Sequence, residues 1–146
     1  MTRTTRTAAV LAATLLSGGV LGGCGGDSPY CSAVKDNQAA LNSFGTAVSD
    51  KTFAREAKAV RTIAATEPEK IGDDWTAIDK AMRRVLSAQK KTGITFADLA
   101  DPDKRAAADS DDIETINKAY GAFNDTVEQR KAVVEDVSST CDVTLK

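Results

Sequence analysis

Apolar residues recur every three or four positions through most of this 146-residue chain, a spacing that predicts amphipathic helices. The most regular series lies near the C-terminal end and predicts one helix of about 30 residues, roughly 45 Å long. Because this helix would be longer than the others, we expect a kink near Gly121 or an overhanging end. The series starts after Asp111 and contains Ile113, Ile116, Tyr120, Phe123, Val127, Arg130, Val134, Val137 and Cys141.

Three earlier helices are predicted from capping residues and shorter apolar series. The first starts at Ser28-Pro29, where serine is a good N-cap and proline fits the first helical position. The second starts at Ser49-Asp50. The third follows a capping-box spacing from Thr66 to Glu69 and ends at Gly93. Their apolar series are Val34, Leu41, Phe44 and Val48, then Phe53, Ala57, Val60, Ile63 and Ala64, and then Ile71, Trp75, Ile78, Met82 and Val85.

The predicted architecture is all-α, because no stretch has the pattern of a strand. Four helices with short connections favour an up-down four-helix bundle. The exception is the long connection between helices three and four, residues 94–110. We expect a turn at Asp101-Pro102-Asp103 and a short helix over residues 104–108. A connection of this length is either a packed cap or a functional loop, and both interpretations stay open.

The first 23 residues have the composition of a secretory signal peptide. Two arginines and no acid precede an apolar segment at Ala8–Leu16, and residues 17–23 are small and glycine-rich. The apolar segment is too short to cross a bilayer, which takes roughly 20 residues. The arginines are not adjacent, so general secretion is favoured over the twin-arginine route.

The end of this segment, Leu21-Gly22-Gly23-Cys24, resembles the lipobox of bacterial lipoproteins. The resemblance implies a diacylglycerol thioether on Cys24, with palmitate-like chains, and cleavage before this cysteine. The protein would then be lipid-anchored at the cell membrane, facing the extracytoplasmic side of the cell envelope. Residues 24–28 would form a tether, and residues 29–146 the bundle domain. The alternative is an ordinary secretory leader cut near Gly23.

Charge and cysteine content limit the partners of the exported part. From Cys24 onward there are 17 Lys and Arg against 21 Asp and Glu, so we expect no nucleic-acid binding. The anchor, rather than surface charge, is expected to hold the domain at the membrane. Cys31 and Cys141 form an even pair in an exported chain, which favours a disulfide over two buried free thiols. Without histidine, two thiols make a poor zinc site.

The chain offers few groups for catalysis. No histidine is present to activate a serine or cysteine. The pairs Asp73-Asp74 and Asp111-Asp112 lie at predicted helix starts, where acids are favourable in any case. The acids of residues 101–112 lack the glycine and glutamate of a calcium loop, so we expect no metal or cofactor. A row of Arg55, Lys58 and Arg61 is either a solvated helix face or a contact for lipid phosphate.

The exported part also resembles small helical exported proteins of actinobacteria, most of which have no assigned function. The shared features are Tyr30-Cys31, an alanine-rich second helix, Pro68-Glu69 followed by Asp74-Trp75, and Cys141 with Leu145. The glycine expected after the late cysteine is Asp142 here. The resemblance implies no catalytic residues.

Two functions agree best with these observations. The first is a membrane-anchored, non-enzymatic domain that binds a partner in the envelope or helps to sense or maintain it. The second is a binding protein for a small apolar ligand, with residues 94–110 as a lid.

Arg130, Phe96 and Trp75 are weak candidates for the ligand site. Arg130 is the only charge in its apolar series, so it either extends to solvent or pairs with a buried acid. Trp75 lies in the third series, which favours packing over sugar stacking. An enzyme that uses carboxylates alone ranks third.

Overall fold

The computed structural model describes residues 28–44 and 49–145, and within these ranges the chain is all-helical, as predicted. The leader, Cys24 and the predicted core residue Val48 lie outside the described residues. Seven helices occur in the described ranges: α1 (Pro29–Leu41), α2 (Asp50–Ala64), α3 (Gly72–Thr92), α4 (Phe96–Ala100), α5 (Pro102–Ala107), α6 (Ser110–Asn124) and α7 (Val127–Cys141).

Helix α3 lies at the centre of the packing. It contacts α2, α6 and α7, while α1 contacts α2 and α7. Helices α2 and α3 run antiparallel. The start of one lies beside the end of the other, where Asp50 of α2 accepts a hydrogen bond from Gln89 of α3. The fully buried side chains include most of the apolar series predicted for the first three helices, among them Val34, Leu41, Val60, Ile63, Trp75, Ile78, Met82 and Val85.

Local capping signals place the predicted helix ends correctly at three positions. The Ser28 side chain accepts a hydrogen bond from the Cys31 backbone N–H at 3.1 Å, and α1 starts with Pro29. The Ser49 side chain caps α2 in the same way. Gly93 ends α3 with a φ of 72°, in the left-handed region that glycine adopts without steric cost.

The predicted start of the third helix is wrong. Thr66 does not cap α3, because its hydroxyl donates to the backbone carbonyl of Ile63 at 2.7 Å and ends α2. Glu67 then has a φ of 48°, so the chain turns away from helical geometry before Pro68. Helix α3 starts only at Gly72, several residues later than the capping-box spacing indicates.

The predicted 30-residue helix is two helices, α6 and α7, separated at Asp125-Thr126. The Thr126 hydroxyl donates to the Phe123 carbonyl at 2.7 Å and ends α6, so the break lies after Gly121 rather than at it. The interruption rotates the following helix. Val127 is therefore 43% exposed, although the apolar series placed it in the core, and Val133 is buried instead.

The connection after α3 is more ordered than a loop. Thr95 and Asp98 form a capping box at the start of α4, and the Asp101 side chain accepts hydrogen bonds from two backbone N–H groups at the start of α5. Asp101 has an extended backbone between the two helices, where the turn was predicted, and the short helix predicted over residues 104–108 is α5, which starts at Pro102. Ile94, Phe96 and Leu99 pack on the core. We refer to residues 94–108 as the helical cap.

Cys31 and Cys141 connect α1 to the end of α7. Their sulfurs lie at the bonding distance of 2.03 Å, and their Cα atoms are 5.1 Å apart. The bond spans 110 positions of sequence, and a chain-entropy argument gives such a closed loop roughly 4.7 kcal/mol of stabilisation. Asp142 follows with a φ of 53°, so an aspartate adopts the left-handed conformation for which the actinobacterial resemblance implied a glycine.

Candidate functional site

A surface groove of about 420 Å³ lies beside the disulfide, between the start of α1, the α2–α3 connection and the end of α7. We call it the disulfide-end groove. Its volume is within the range of small-molecule sites. Apolar and polar groups both line it: Pro29, Tyr30, Pro68, Ile71, Asp136 and Thr140.

A chain of hydrogen bonds fixes one wall of this groove. The Trp75 indole Nε1 donates to the Tyr30 hydroxyl at 3.3 Å, and that hydroxyl donates to Asp136 Oδ2 at 2.7 Å. Thr140 Oγ1 donates to the other carboxylate oxygen at 3.1 Å. Burial, together with the hydrogen bond and charge of Asp136, raises the pKa of Tyr30 well above its ordinary value. The phenol is therefore neutral at physiological pH.

A second groove, of about 280 Å³, lies under the helical cap. Ile94, Leu99 and Ile113 provide apolar surface there, and Lys104 and Arg105 lie at its rim. Both cations are engaged within the cap. Lys104 Nζ donates to Asp98 at 2.8 Å and holds the pKa of this carboxyl well below its usual range, while Arg105 donates to a backbone carbonyl at 2.9 Å.

An aromatic cluster supports the cap from below. Phe96 lies 5.6 Å from Phe53 and 5.1 Å from Tyr120, measured between ring centroids, and Phe53 meets Phe123 edge-on. Such offset and edge contacts are the preferred aromatic geometries. Burial, followed by the nearby charge of Asp50, raises the pKa of Tyr120 to about 12. Phe96, a predicted ligand candidate, is thus part of the packing.

Arg130 follows neither of the two predicted arrangements. Its guanidinium donates to the Phe123 carbonyl at 2.7 Å and to Thr126 Oγ1 at 3.0 Å, and it lies 4.5 Å from the centre of the Phe123 ring. It therefore caps the end of α6 instead of pairing with an acid or simply extending to solvent. Burial lowers its pKa. The third candidate, Trp75, is fully buried behind the disulfide-end groove, so the three candidates do not converge.

Two buried acids and one polar pair were not predicted from the sequence. Glu56 and Asp79 are buried, and each lies among apolar positions of its helix, which a helical projection of the sequence shows. Tyr30 and Asp136 carry no comparable signal, because 106 positions separate them. Within the described residues, no three acids or cysteines are arranged to hold a metal ion.

Comparison with known proteins gives no assignment: no protein-family model, curated protein or solved structure matches this chain. In the part of the chain that the structure describes, no helix is long and apolar enough to cross a membrane.

We predict that Tyr30→Phe destabilises the protein. The variant leaves the buried Trp75 indole without its hydrogen-bond acceptor, which costs about 1–3 kcal/mol of unfolding free energy. Urea unfolding measures this difference, and Phe44→Leu, at the other ring that contacts Trp75, is the packing control. An unfolding free energy equal to that of the native protein would show that the hydrogen-bond chain does not stabilise the fold.

The two tyrosines also predict how stability depends on pH. The fold favours both neutral phenols, so this stabilisation is complete below the ordinary tyrosine pKa of 10.0 and decreases as the pH rises above it. Phenolate absorbance should therefore appear at higher pH in the folded than in the unfolded chain. Ionisation of either phenol at its ordinary pKa in the folded protein would contradict the burial described here.

Proposed function

We propose that this chain is a lipoprotein precursor whose Cys24 lipid anchors an up-down four-helix bundle to the extracytoplasmic face of the cell membrane. Helices α1, α2 and α3 would be the first three members, and α6 with α7 the fourth. Three sets of contacts support this topology. Asp50 at the start of α2 meets Gln89 near the end of α3, Trp75 near the start of α3 is linked through Tyr30 to Asp136 in α7, and Cys31 is bonded to Cys141, which supports opposite directions for successive members.

The anchor would enter at the disulfide end. Cys24 precedes the α1 cap, Ser28, by four positions, and four extended residues span at most about 14 Å. Ser28 also lines the disulfide-end groove. Lipidation would thus hold this groove next to the bilayer. The helical cap belongs to the opposite end, because it follows the last turn of α3.

For the anchor, we predict that Cys24→Ser abolishes labelling by an alkyne analogue of palmitate and moves the protein out of the membrane fraction. The serine hydroxyl cannot form the thioether that carries the lipid. Thr2→Ser, a change in the same leader outside the lipobox, is the matched control. Continued labelling of the Cys24→Ser variant would refute the lipobox interpretation.

We further propose that the anchored domain binds a partner and catalyses no reaction. The observation that carries this proposal is the use of its acids in the fold: Asp98, Asp101 and Asp109 cap helices, and the buried Asp79 pairs with Arg61 and Arg83. The leading candidate for the partner surface is the helical cap. It presents a groove with apolar walls and a polar rim, the composition of many protein contacts.

A photo-cross-linking residue at Ala97 or Ala107, both exposed on the cap, tests this surface. We expect reproducible capture of one envelope protein from intact cells at these positions. The same cross-linker at the exposed Ser138 of α7 is the control. Absence of a reproducible product at both cap positions, or equal capture from Ser138, would contradict a partner surface on the cap.

The second candidate function is the binding of a small apolar ligand. The volume of the disulfide-end groove, about 420 Å³, favours it. A lid formed by residues 94–110 stays a prediction, and the groove beneath that segment is smaller, at about 280 Å³.

Native mass spectrometry of protein purified from cells distinguishes the two grooves. We expect bound mass that Ile71→Trp removes, since the larger side chain would fill the disulfide-end groove. Leu99→Trp makes the matching change under the cap, so it should leave the mass in place. Removal by Leu99→Trp alone would instead favour the lid, and native protein without bound mass would rule out the ligand function.

A further inference from the structure

Charge is distributed unevenly over the surface of this domain. Helices α2 and α3 together carry nine Lys and Arg against five acids, whereas α6 and α7 carry three against six. Two of the five acids in α2 and α3, Glu56 and Asp79, are buried, and a third, Asp50, accepts hydrogen bonds from Gln89 and the Phe96 N–H. The solvent-facing side of α2 and α3 is therefore strongly positive in a chain that is negative overall.

The positive side chains of the two helices form one continuous surface. Asp79 of α3 lies between Arg61 of α2, 3.4 Å away, and Arg83 of α3, 2.9 Å away. This contact brings the exposed cations of both helices together. We define the basic face as Arg55, Lys58 and Arg61 of α2 with Lys80, Arg83 and Arg84 of α3, all of which are exposed.

The Asp79 carboxylate leaves most of the charge on this surface available. The side chains of Arg61 and Arg83 are still 57% and 54% exposed, so they can reach a phosphate outside the protein. One acid among six cations leaves the basic face with a net charge of about +5. Planar guanidinium groups bind phosphate oxygens through two parallel N–H donors, a geometry suited to lipid headgroups.

We propose that the basic face lies against the anionic phospholipid headgroups of the bilayer that holds the Cys24 lipid. Ser28, where the tether joins the domain, shares the disulfide-end groove with Thr66 and Lys70 of the α2–α3 connection. The tether thus meets the domain at the end where α2 stops and α3 starts. The orientation rests on the proposed lipid anchor, but the attraction between face and anionic lipid does not.

This orientation has a consequence for the rest of the domain. With α2 and α3 on the membrane, the acidic helices α6 and α7 would lie away from the negatively charged lipid, which lowers electrostatic repulsion. Each Lys or Arg close to an anionic membrane raises the affinity for it about fivefold, so several together select one orientation of a tethered domain. The basic face would then help the Cys24 lipid to hold the domain at the membrane. The net negative charge of the exported part had led us to expect that the lipid alone does this.

The test uses protein purified from cells and reconstituted in phosphatidylcholine vesicles with or without phosphatidylglycerol. An amine-reactive label followed by mass spectrometry reports the accessibility of each lysine. We expect phosphatidylglycerol to slow the labelling of Lys58 and Lys80 about fivefold or more, and to leave Lys118 and Lys131 unchanged. Raising the salt from about 0.1 M to about 1 M should remove the protection, because the Debye length shortens from about 10 Å to about 3 Å.

Two matched variants separate the basic face from total charge. Arg55→Gln with Arg84→Gln should remove most of the protection of Lys58 and Lys80, because the loss of two contacts weakens the attraction to anionic lipid about 25-fold. Lys118→Gln with Lys131→Gln changes the net charge equally and should leave the protection intact. Circular dichroism confirms that both variants are folded.

Several results would overturn the proposal. These are equal labelling in both vesicle types, equal effects of the two variants, and protection that grows with protein concentration in detergent, which would assign the face to a second copy of the chain. Failure of the anchor gives a different result. In that case the protein does not float with pure phosphatidylcholine vesicles, and binding only to phosphatidylglycerol vesicles still reports on the basic face.

Discussion

The connection between the first and last helices of this domain is the constraint on which the rest depends. The Cys31–Cys141 bond and the Tyr30–Asp136 hydrogen bond join two adjacent residues of α1 to the last part of α7. Helix α1 has only 13 residues, so its own hydrogen bonds would not keep it helical in isolation. The connection holds α1 over the fully buried Trp75 and forms one wall of the disulfide-end groove. The same two contacts between α1 and α7 therefore stabilise both the core packing and the wall of the groove.

Much of the fold follows from local sequence signals, and the exceptions have a common cause. Ser28, Ser49 and Gly93 mark helix ends because each satisfies backbone groups in its own neighbourhood. The two wrongly predicted helix boundaries involve Thr66 and Thr126, whose hydroxyls donate to carbonyls three positions earlier and end a helix there. Apolar periodicity does not report this choice, since a threonine can cap the next helix or end the previous one. The first turns of α7 are therefore out of phase with the predicted series, so that Val127 is exposed and Val133 is buried, whereas Val137 is buried as predicted.

The grooves and the charge pattern were less predictable than the helices. Tyr30 and Asp136 meet only because the ends of the chain pack together, and neither residue type marks a site by itself. The net charge of the chain gives no indication of the basic face, because the positive charge of α2 and α3 cancels against the negative charge of α6 and α7 in the sum. The row of Arg55, Lys58 and Arg61 on α2 could nevertheless be recognised in the sequence. The structure adds the neighbouring row of cations on α3.

We propose that a lipid anchor and a disulfide occur together at one end of the domain, and a single peptide measurement tests both. Trypsin cleaves after Lys35 and Lys131, so one fragment contains Cys24 and Cys31, and another contains Cys141. Mass spectrometry of a non-reduced tryptic digest of the protein from cells should find the two fragments linked, with the first starting at a diacylglyceryl-modified Cys24. Free thiols at Cys31 and Cys141 would contradict the disulfide, and an unmodified N-terminus at another residue would contradict the lipid anchor.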